Sequence, residues 1–340
     1  MDIFSPKERL LRVLHKDKVD RPPVICPGGM MNSAIVDVMK KTGRTLPEGH
    51  HNPELMADIA HDVNENTGFE NFGIPFCMTV EAEVLGSEID YGTLDCEPKI
   101  AKEVFPSVAQ VEYKEIGIMG KNTRVSAIIQ AEYDLSRKYP DVPVVGSITG
   151  PISTAASLVD PMVFLRELRK DPGNAHKVVD YVTDHLVDFA RLMLDNGATI
   201  ISIADPTATG EILGPKMFKE YAVRYLNKLV DAIHKLNAAV IIHICGRMNA
   251  VEQYVAELRS DAISSDALVN LSLLKSKYPQ LTTMGNLSTF LLKSGEPEKI
   301  ANHTQRLVMD GINIIAPACG LDTSTPLENI KAMTRMVKEG

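Results

Sequence analysis

The chain has 340 residues, of which 44% are hydrophobic and 24% charged, and this is long enough for one large globular domain. Its net charge of −8 excludes a general attraction to nucleic acid or to anionic membranes, and no run of about 18 apolar residues predicts a membrane span. The charged N-terminus lacks the apolar centre of a signal peptide, so we expect a cytoplasmic protein.

Eight short apolar segments alternate with helical patterns along the chain. We predict strands at residues 23–26, 73–78, 143–148, 199–204, 240–245, 261–264, 281–284 and 313–316. Asp171-Pro172 predicts the start of a long helix after the third strand, and Asn196-Gly197 predicts its end. Apolar strands that alternate with helices indicate a parallel sheet covered by helices, and eight such units favour a (β/α)8 TIM barrel of the α/β class.

The chain shows no long linker or internal repeat. We therefore expect a single domain over residues 1–340, with residues 1–22 as an N-terminal helical extension. The least regular stretch is 81–124, which we interpret as an insertion over the mouth of the barrel.

Soft metal ligands follow two of the predicted strands. His243 and Cys245 end the fifth strand and point to the same face, because side chains alternate along a strand. Cys319 follows the eighth strand, and the C-terminal ends of barrel strands meet at one mouth. Two thiolates and an imidazole suit zinc, and three protein ligands leave a fourth position for chemistry. Core packing of buried cysteines is the alternative.

Other polar residues are expected at the same mouth. Asp205 follows the fourth strand, either as a substrate-binding carboxylate or as a turn residue. Asp266 follows the sixth, as a displaceable fourth zinc ligand, as a hydrogen-bond partner of His243, or as a helix N-cap. Gly246-Arg247 is predicted to open the next helix, where free amides and Arg247 would bind an anion. A solvated helix cap is the alternative there.

The remaining cysteines and one histidine pair are interpreted as structural. Five cysteines without a CxxC pattern do not indicate a disulfide framework, and Cys26 and Cys77 are expected in the core. His50-His51 lies in a loop flanked by Pro and Gly, so we expect both side chains at the surface.

At these residues the sequence resembles the uroporphyrinogen decarboxylase superfamily and, within it, the methylcobamide:coenzyme M methyltransferases. The resemblance spans almost the whole chain and is carried by residues 7–23, Gly150-Pro151, Asp205, 243–246, 285–287 and 325–329. Where the decarboxylases carry an arginine-rich segment for substrate carboxylates, residues 26–31 of this chain contain no Arg. This difference argues against decarboxylation of a porphyrinogen, and the HxC…C pattern is typical of the methyltransferase branch.

The resemblance implies a TIM barrel and a zinc-dependent enzyme. It would transfer a methyl group from a methyl-Co(III) corrinoid protein, which supplies the methylcobamide, to the thiol of coenzyme M in methanogenesis from methanol or methylamines. One zinc ion per chain would be held by His243, Cys245 and Cys319, with Asp266 as the candidate fourth ligand. The substrate-binding candidates are Arg247, Asp205 and Asn286.

Three alternatives remain open from the sequence. They are a porphyrinogen decarboxylase, a corrinoid-dependent methyltransferase for another thiol, and a non-catalytic zinc- or corrinoid-binding subunit. We expect neither nucleic acid nor a membrane among the partners.

Overall fold

A ring of parallel strands forms the centre of the molecule in the computed structural model, which describes residues 2–31 and 34–340. The strands are β1 (Phe72–Ile74), β2 (Glu88–Asp90), β3 (Lys99–Lys102), β4 (Val144–Thr149), β5 (Ile200–Ala204), β6 (Val240–Ile244), β7 (Ala262–Ser265), β8 (Thr283–Leu287) and β9 (Ile314–Pro317). Seven of them form one sheet in the order β1-β4-β5-β6-β7-β8-β9, with every neighbouring pair parallel.

The eighth position of the ring is taken by the segment around Val24. The Ile25 N–H donates to the Ile315 carbonyl (3.0 Å) on one side, and the Glu70 N–H donates to the Val24 carbonyl (2.9 Å) on the other. Pro23 has no N–H, and the Val24 N–H donates to the Glu70 carboxylate (2.9 Å), so the segment forms a bridge and not a full strand. The predicted (β/α)8 barrel is confirmed, with a ring closed partly by side chains.

The α-helices surround this ring. In the described part of the chain they are α1 (Pro6–Leu14), α2 (Val36–Thr42), α3 (Pro53–Thr67), α4 (Val80–Leu85), α5 (Thr123–Lys138), α6 (Pro151–Ala155), α7 (Pro161–Lys170), α8 (Pro172–Asp195), α9 (Gly210–Met217), α10 (Arg224–His234), α11 (Glu252–Val255), α12 (Leu271–Lys277), α13 (Thr289–Ser294), α14 (Pro297–Met309) and α15 (Leu327–Glu339). Asp171 caps α8 as predicted, because its carboxylate accepts from the Asn174 N–H (3.3 Å). Among the described helices none is long and apolar enough to cross a bilayer.

The N-terminal helix α1 is tied to the barrel by a buried guanidinium. Arg9 is fully buried, and it donates to Asp20 (2.8 Å) and to Glu70 (2.8 Å). Since Glu70 also accepts from the Val24 N–H, α1 is linked directly to the segment that closes the ring. The salt bridges therefore lie at the start of the strands, at the end opposite the mouth.

Residues 81–124 form an insertion, as their irregular sequence predicted. The stretch contains most of α4, the antiparallel pair β2–β3 and short 3-10 turns before α5 begins. It follows β1, whose extent is shorter than predicted because Pro75 has no N–H to continue the ladder. The insertion therefore lies on the mouth side of the barrel.

Candidate metal centre

His243, Cys245 and Cys319 lie together at the mouth of the barrel. One ligand atom from each residue falls within 4.8 Å of the other two, and no other such group of three occurs among the residues that the structure describes. His243 is in β6 and Cys245 directly follows it, while Cys319 follows β9 across the ring. The strand alternation and the barrel closure thus bring together the three side chains that the sequence pointed to.

The two ring nitrogens of His243 have different surroundings. Nδ1 lies 2.9 Å from the Ser264 hydroxyl, which is opposite His243 in the register of β6 and β7. Nε2 is buried and has no hydrogen-bond partner among the described residues. A buried nitrogen without a partner is unusual, and here it lies beside two thiols. This donor set fits a soft divalent metal ion such as zinc, and the Nδ1 contact is of the kind that orients a metal-binding imidazole.

The pKa values of the two thiols are shifted in opposite directions. A hydrogen bond from Cys245, together with the neighbouring His243, lowers the pKa of Cys319. The same hydrogen bond and burial raise the pKa of Cys245. The Cys319 sulfur is therefore the one that carries negative charge first, and thiolates are the form of cysteine that binds metals.

Asp266 and Asn286 hold the loop beside this centre. Asp266 accepts from the N–H of Gly246 (3.4 Å) and of Leu268 (2.9 Å), and it lies outside the group of three ligands. The Asn286 amide donates to the carbonyls of Asp266 and Val269, both at 2.8 Å. Ser264, and not Asp266, contacts the His243 ring. The roles of Asp266 as a fourth ligand and of Asn286 in substrate binding stay predictions.

Asp205 is fully buried and its carboxylate is occupied by protein donors. It accepts from the N–H of Ile152 (2.9 Å) and from both the N–H (2.8 Å) and the hydroxyl (2.7 Å) of Ser153. Burial raises its pKa against the effect of these bonds. A Cβ at Gly150 would lie 2.4 Å from the Asp205 Cβ, so this contact requires glycine. Asp205 thus joins β5 to the start of α6, and a substrate contact stays a prediction.

The helix predicted to open at Gly246-Arg247 does not begin there. Gly246 has a left-handed φ of +68°, and the next helix begins only at Glu252. The Arg247 N–H donates to the Glu211 carboxylate (3.1 Å), whose oxygen would lie 2.4 Å from a Cβ at Gly246. The prediction of an anion-binding helix start is therefore wrong, because a carboxylate already takes the amide. The Arg247 side chain is exposed, and its contact with substrate stays a prediction.

Met30 also lies at this centre, although no sequence pattern indicated it, and His50 is buried where a surface position was expected. The Met30 sulfur lies 3.5 Å from the Cys245 sulfur, and the Met30 carbonyl packs against Gly320, next to Cys319. In the sequence, residues 26–31 were distinguished only by their lack of arginine. His50 was expected at the surface but is 1% exposed. The 3-10 turn that carries it packs against α3 and α5, which periodicity does not reveal. Cys26 and Cys77 are buried, as predicted.

The fold and this centre define a TIM-barrel protein with a candidate soft-metal site at the barrel mouth. The chain belongs to the uroporphyrinogen decarboxylase (URO-D) family, which matches residues 5–340. It is 32% identical over 340 residues to the methylcobamide:CoM methyltransferase MtbA of Methanosarcina acetivorans, covering 99% of both chains. It is 31% identical over 337 residues to the methylcobamide:CoM methyltransferase MtaA of Methanosarcina barkeri, covering 98% of this chain and 97% of the relative.

A solved structure agrees with these relatives. A methyltransferase from Methanosarcina mazei superposes with a TM-score of 0.92 at 30% identity, and the match covers 99% of both chains. The resemblance seen in the sequence is therefore confirmed, and the chain is similar to enzymes that transfer one-carbon groups.

Proposed function

We propose that this chain transfers a methyl group from a methylcobamide to the thiol of coenzyme M, with zinc as its metal. The observation that carries the proposal is the group of His243, Cys245 and Cys319 at the barrel mouth. Support comes from full-length relatives whose names state this reaction, at 32% and 31% identity. We extend the proposal to a corrinoid protein as the methyl donor and to methanogenesis from methanol or methylamines.

His243, Cys245 and Cys319 would hold the zinc ion. When bound, zinc lowers the pKa of a coordinated thiol and so supplies a thiolate at neutral pH. Two cysteine thiolates and one neutral imidazole would together balance the charge of a divalent metal ion. The Ser264 contact fixes the His243 ring so that Nε2 faces the two sulfurs.

The chain's part in the reaction is to bind, deprotonate and orient the substrate thiol. The thiolate would attack the methyl carbon of the methylcobamide, so that the C–S bond forms as the Co–C bond breaks and the bonding electron pair leaves with the cobamide. Because the cobamide carries the methyl group and accepts the electrons, no further co-reactant is needed. Holding the thiolate and the methyl donor in line at the mouth would lower the barrier to methyl transfer further.

Zinc content and methyl transfer from methylcobalamin to coenzyme M test this proposal together. We expect about one zinc ion per chain in the wild type, and loss of both zinc and activity in Cys245→Ser and Cys319→Ser. Cys96→Ser is the matched control, because Cys96 is exposed and outside the ligand group. Stoichiometric zinc in both site variants, or methyl transfer without metal, would contradict the proposal.

Competing activities are separated by the same assay. Transfer to another thiol but not to coenzyme M would identify a different thiol methyltransferase. Zinc binding without transfer to any thiol would identify a non-catalytic subunit.

A further inference from the structure

A buried polar cluster lies on the mouth side of the barrel, around the start of α5. We call it the Arg124 cluster; it consists of His50, Cys77, Thr79, Glu83, Tyr91 and Arg124. Arg124 is in the first turn of α5, the helix that leads into β4. In a barrel such a helix runs antiparallel to the strands, so its N-terminus is at the mouth. Arg124 is 1% exposed.

The Arg124 guanidinium is held by three hydrogen bonds, and some of its N–H donors have no partner among the described residues. Nη1 donates to the Thr79 hydroxyl (3.1 Å) and to the Glu83 carboxylate, and Nη2 donates to the Cys77 sulfur (2.7 Å). Glu83 is itself fixed by the Tyr91 hydroxyl (3.0 Å). A guanidinium has five N–H donors, so two have no partner in residues 2–31 and 34–340, and a third contacts a weak sulfur acceptor.

His50 supplies an independent sign of an unfilled site. It is 1% exposed, and neither of its ring nitrogens has a partner in the described chain. Burial and the nearby charge of Arg124 lower its pKa to about 3, so the imidazole is neutral and offers one N–H donor. Buried polar groups are rarely left without a partner, which points to a ligand that accepts hydrogen bonds here.

The Arg124 cluster is joined to the metal centre by two loops in direct contact. The Met30 sulfur lies 3.5 Å from the Cys245 sulfur, and the Gly29 N–H donates to the Pro75 carbonyl (2.6 Å). Pro75 is two residues before Cys77. The Glu81 carboxylate also accepts from the Thr149 N–H (2.6 Å), which holds the start of α4 against the end of β4 at the same mouth. A short molecule that binds the metal centre by one end therefore has the Arg124 cluster on the same mouth for its other end.

We propose that the Arg124 cluster binds the anionic end of the thiol substrate, a sulfonate. This inference rests on the proposed function, because it concerns the same substrate. A sulfonate presents three acceptor oxygens, which match the free guanidinium donors and the His50 N–H. The Thr79 hydroxyl, which donates to the Cys77 sulfur (3.6 Å) in the protein alone, would turn to the same anion. It gives Nη2 of Arg124 a strong acceptor, where the protein alone offers that nitrogen the Cys77 sulfur.

Two thiols of similar size test the proposal by kinetics. With zinc-loaded enzyme and methylcobalamin, Arg124→Gln should raise KM for coenzyme M about ten- to a hundredfold. The same variant should change KM for 2-mercaptoethanol less than about threefold, because that thiol carries no anion. Thr79→Val removes only one hydroxyl and should give a smaller loss with the same selectivity, which covers the case in which Arg124→Gln fails to fold. Arg137→Gln is the matched control, because Arg137 is exposed in the last turn of the same helix, and both thiols should be unaffected.

Binding of ethanesulfonate separates this inference from the proposed function. Calorimetry with this thiol-free probe should show binding to the wild-type protein and a loss of at least about tenfold in Arg124→Gln. Equal losses with both thiols, or a selective loss in Arg247→Gln, would overturn the assignment to Arg124. Methyl transfer to coenzyme M with no ethanesulfonate binding would also overturn it, with the proposed function intact. Arg124-dependent ethanesulfonate binding without any methyl transfer would support the anion site and contradict the proposed function.

Discussion

Ser264 determines which nitrogen of His243 faces the two cysteine sulfurs. Its hydroxyl lies 2.9 Å from Nδ1, which leaves Nε2 for a metal ion. We expect Ser264→Ala to weaken zinc binding about ten- to a hundredfold, because the ring loses its orientation. Competition with a chromophoric chelator measures this dissociation constant.

The neighbouring Ser265 is the matched control. Its hydroxyl has no partner in the part of the chain that the structure describes, so Ser265→Ala should leave zinc affinity unchanged. Equal zinc affinity in Ser264→Ala and the wild type would show that the His243 ring is oriented by other contacts.

Single residues were predictable where a local rule decides their direction. Strand alternation placed His243 and Cys245 on one face, and the barrel placed Cys319 opposite them. Ser264 was not found, because its contact depends on the register between two strands, which the pattern of one sequence does not contain. Arg124 was missed because a lone arginine in an irregular stretch carries no local signal.

At the scale of elements, α5 packs an uncompensated carboxyl group against the sheet. Glu132 is fully buried, and neither of its oxygens has a partner among the described residues. A Cβ on Gly146 in β4 would lie 3.0 Å from one of those oxygens. Burial raises the pKa of Glu132 well above its ordinary value, so the folded protein favours the protonated form.

This burial gives the stability of the protein a pH dependence with a definite sign. Because the folded-state pKa is raised, the contribution of Glu132 is fully present below the unfolded-state pKa and is lost as pH rises through the folded-state pKa. Glu132→Met replaces the carboxyl with an apolar group of similar size. We expect it to increase the free energy of unfolding at pH 8 by about 1–3 kcal/mol, and by less at pH 5. Urea unfolding at both pH values measures the difference.

Glu65→Met provides the control for that substitution. Glu65 is exposed on α3, so its replacement should change stability by less than about 0.5 kcal/mol at either pH. A stability gain in Glu132→Met that does not depend on pH would show that Glu132 is charged in the folded protein at both values.

Helices and strands were predicted well where the apolar pattern and the capping residues agree, as in α8. They were predicted poorly where the conformation of one residue determines where the element begins or ends. The helix expected at Gly246 fails because that glycine is left-handed, and a neighbouring carboxylate takes the amide. The first strand is only a bridge, because the side chains of Glu70 and Asn71 accept its N–H groups. Such replacements of backbone partners by side chains depend on tertiary structure, and periodicity does not reveal them.

At the scale of the whole molecule, the candidate metal centre joins parts of the barrel that are distant in sequence. Cys245 follows β6 and Cys319 follows β9, while Met30 from the segment beyond the closing bridge contacts the Cys245 sulfur and packs against Gly320. A metal ion bound to the folded chain would therefore link two segments at the mouth that are distant in sequence. Because the unfolded chain does not bring these ligands together, metal binding should stabilise the fold by linkage.

The apparent stability of the protein should accordingly depend on zinc. At a free zinc concentration about 100 times the dissociation constant, the free energy of unfolding should rise by about 2.7 kcal/mol, and a chelator should reverse the increase. Calorimetric Tm of the whole chain, with zinc and after chelation, measures the shift. Cys319→Ser should lose this zinc dependence and Cys96→Ser should retain it, since only the first removes a ligand. A zinc-dependent Tm that persists in Cys319→Ser would place the stabilising metal elsewhere on the chain, because the centre at the mouth would then lack one of its two sulfurs.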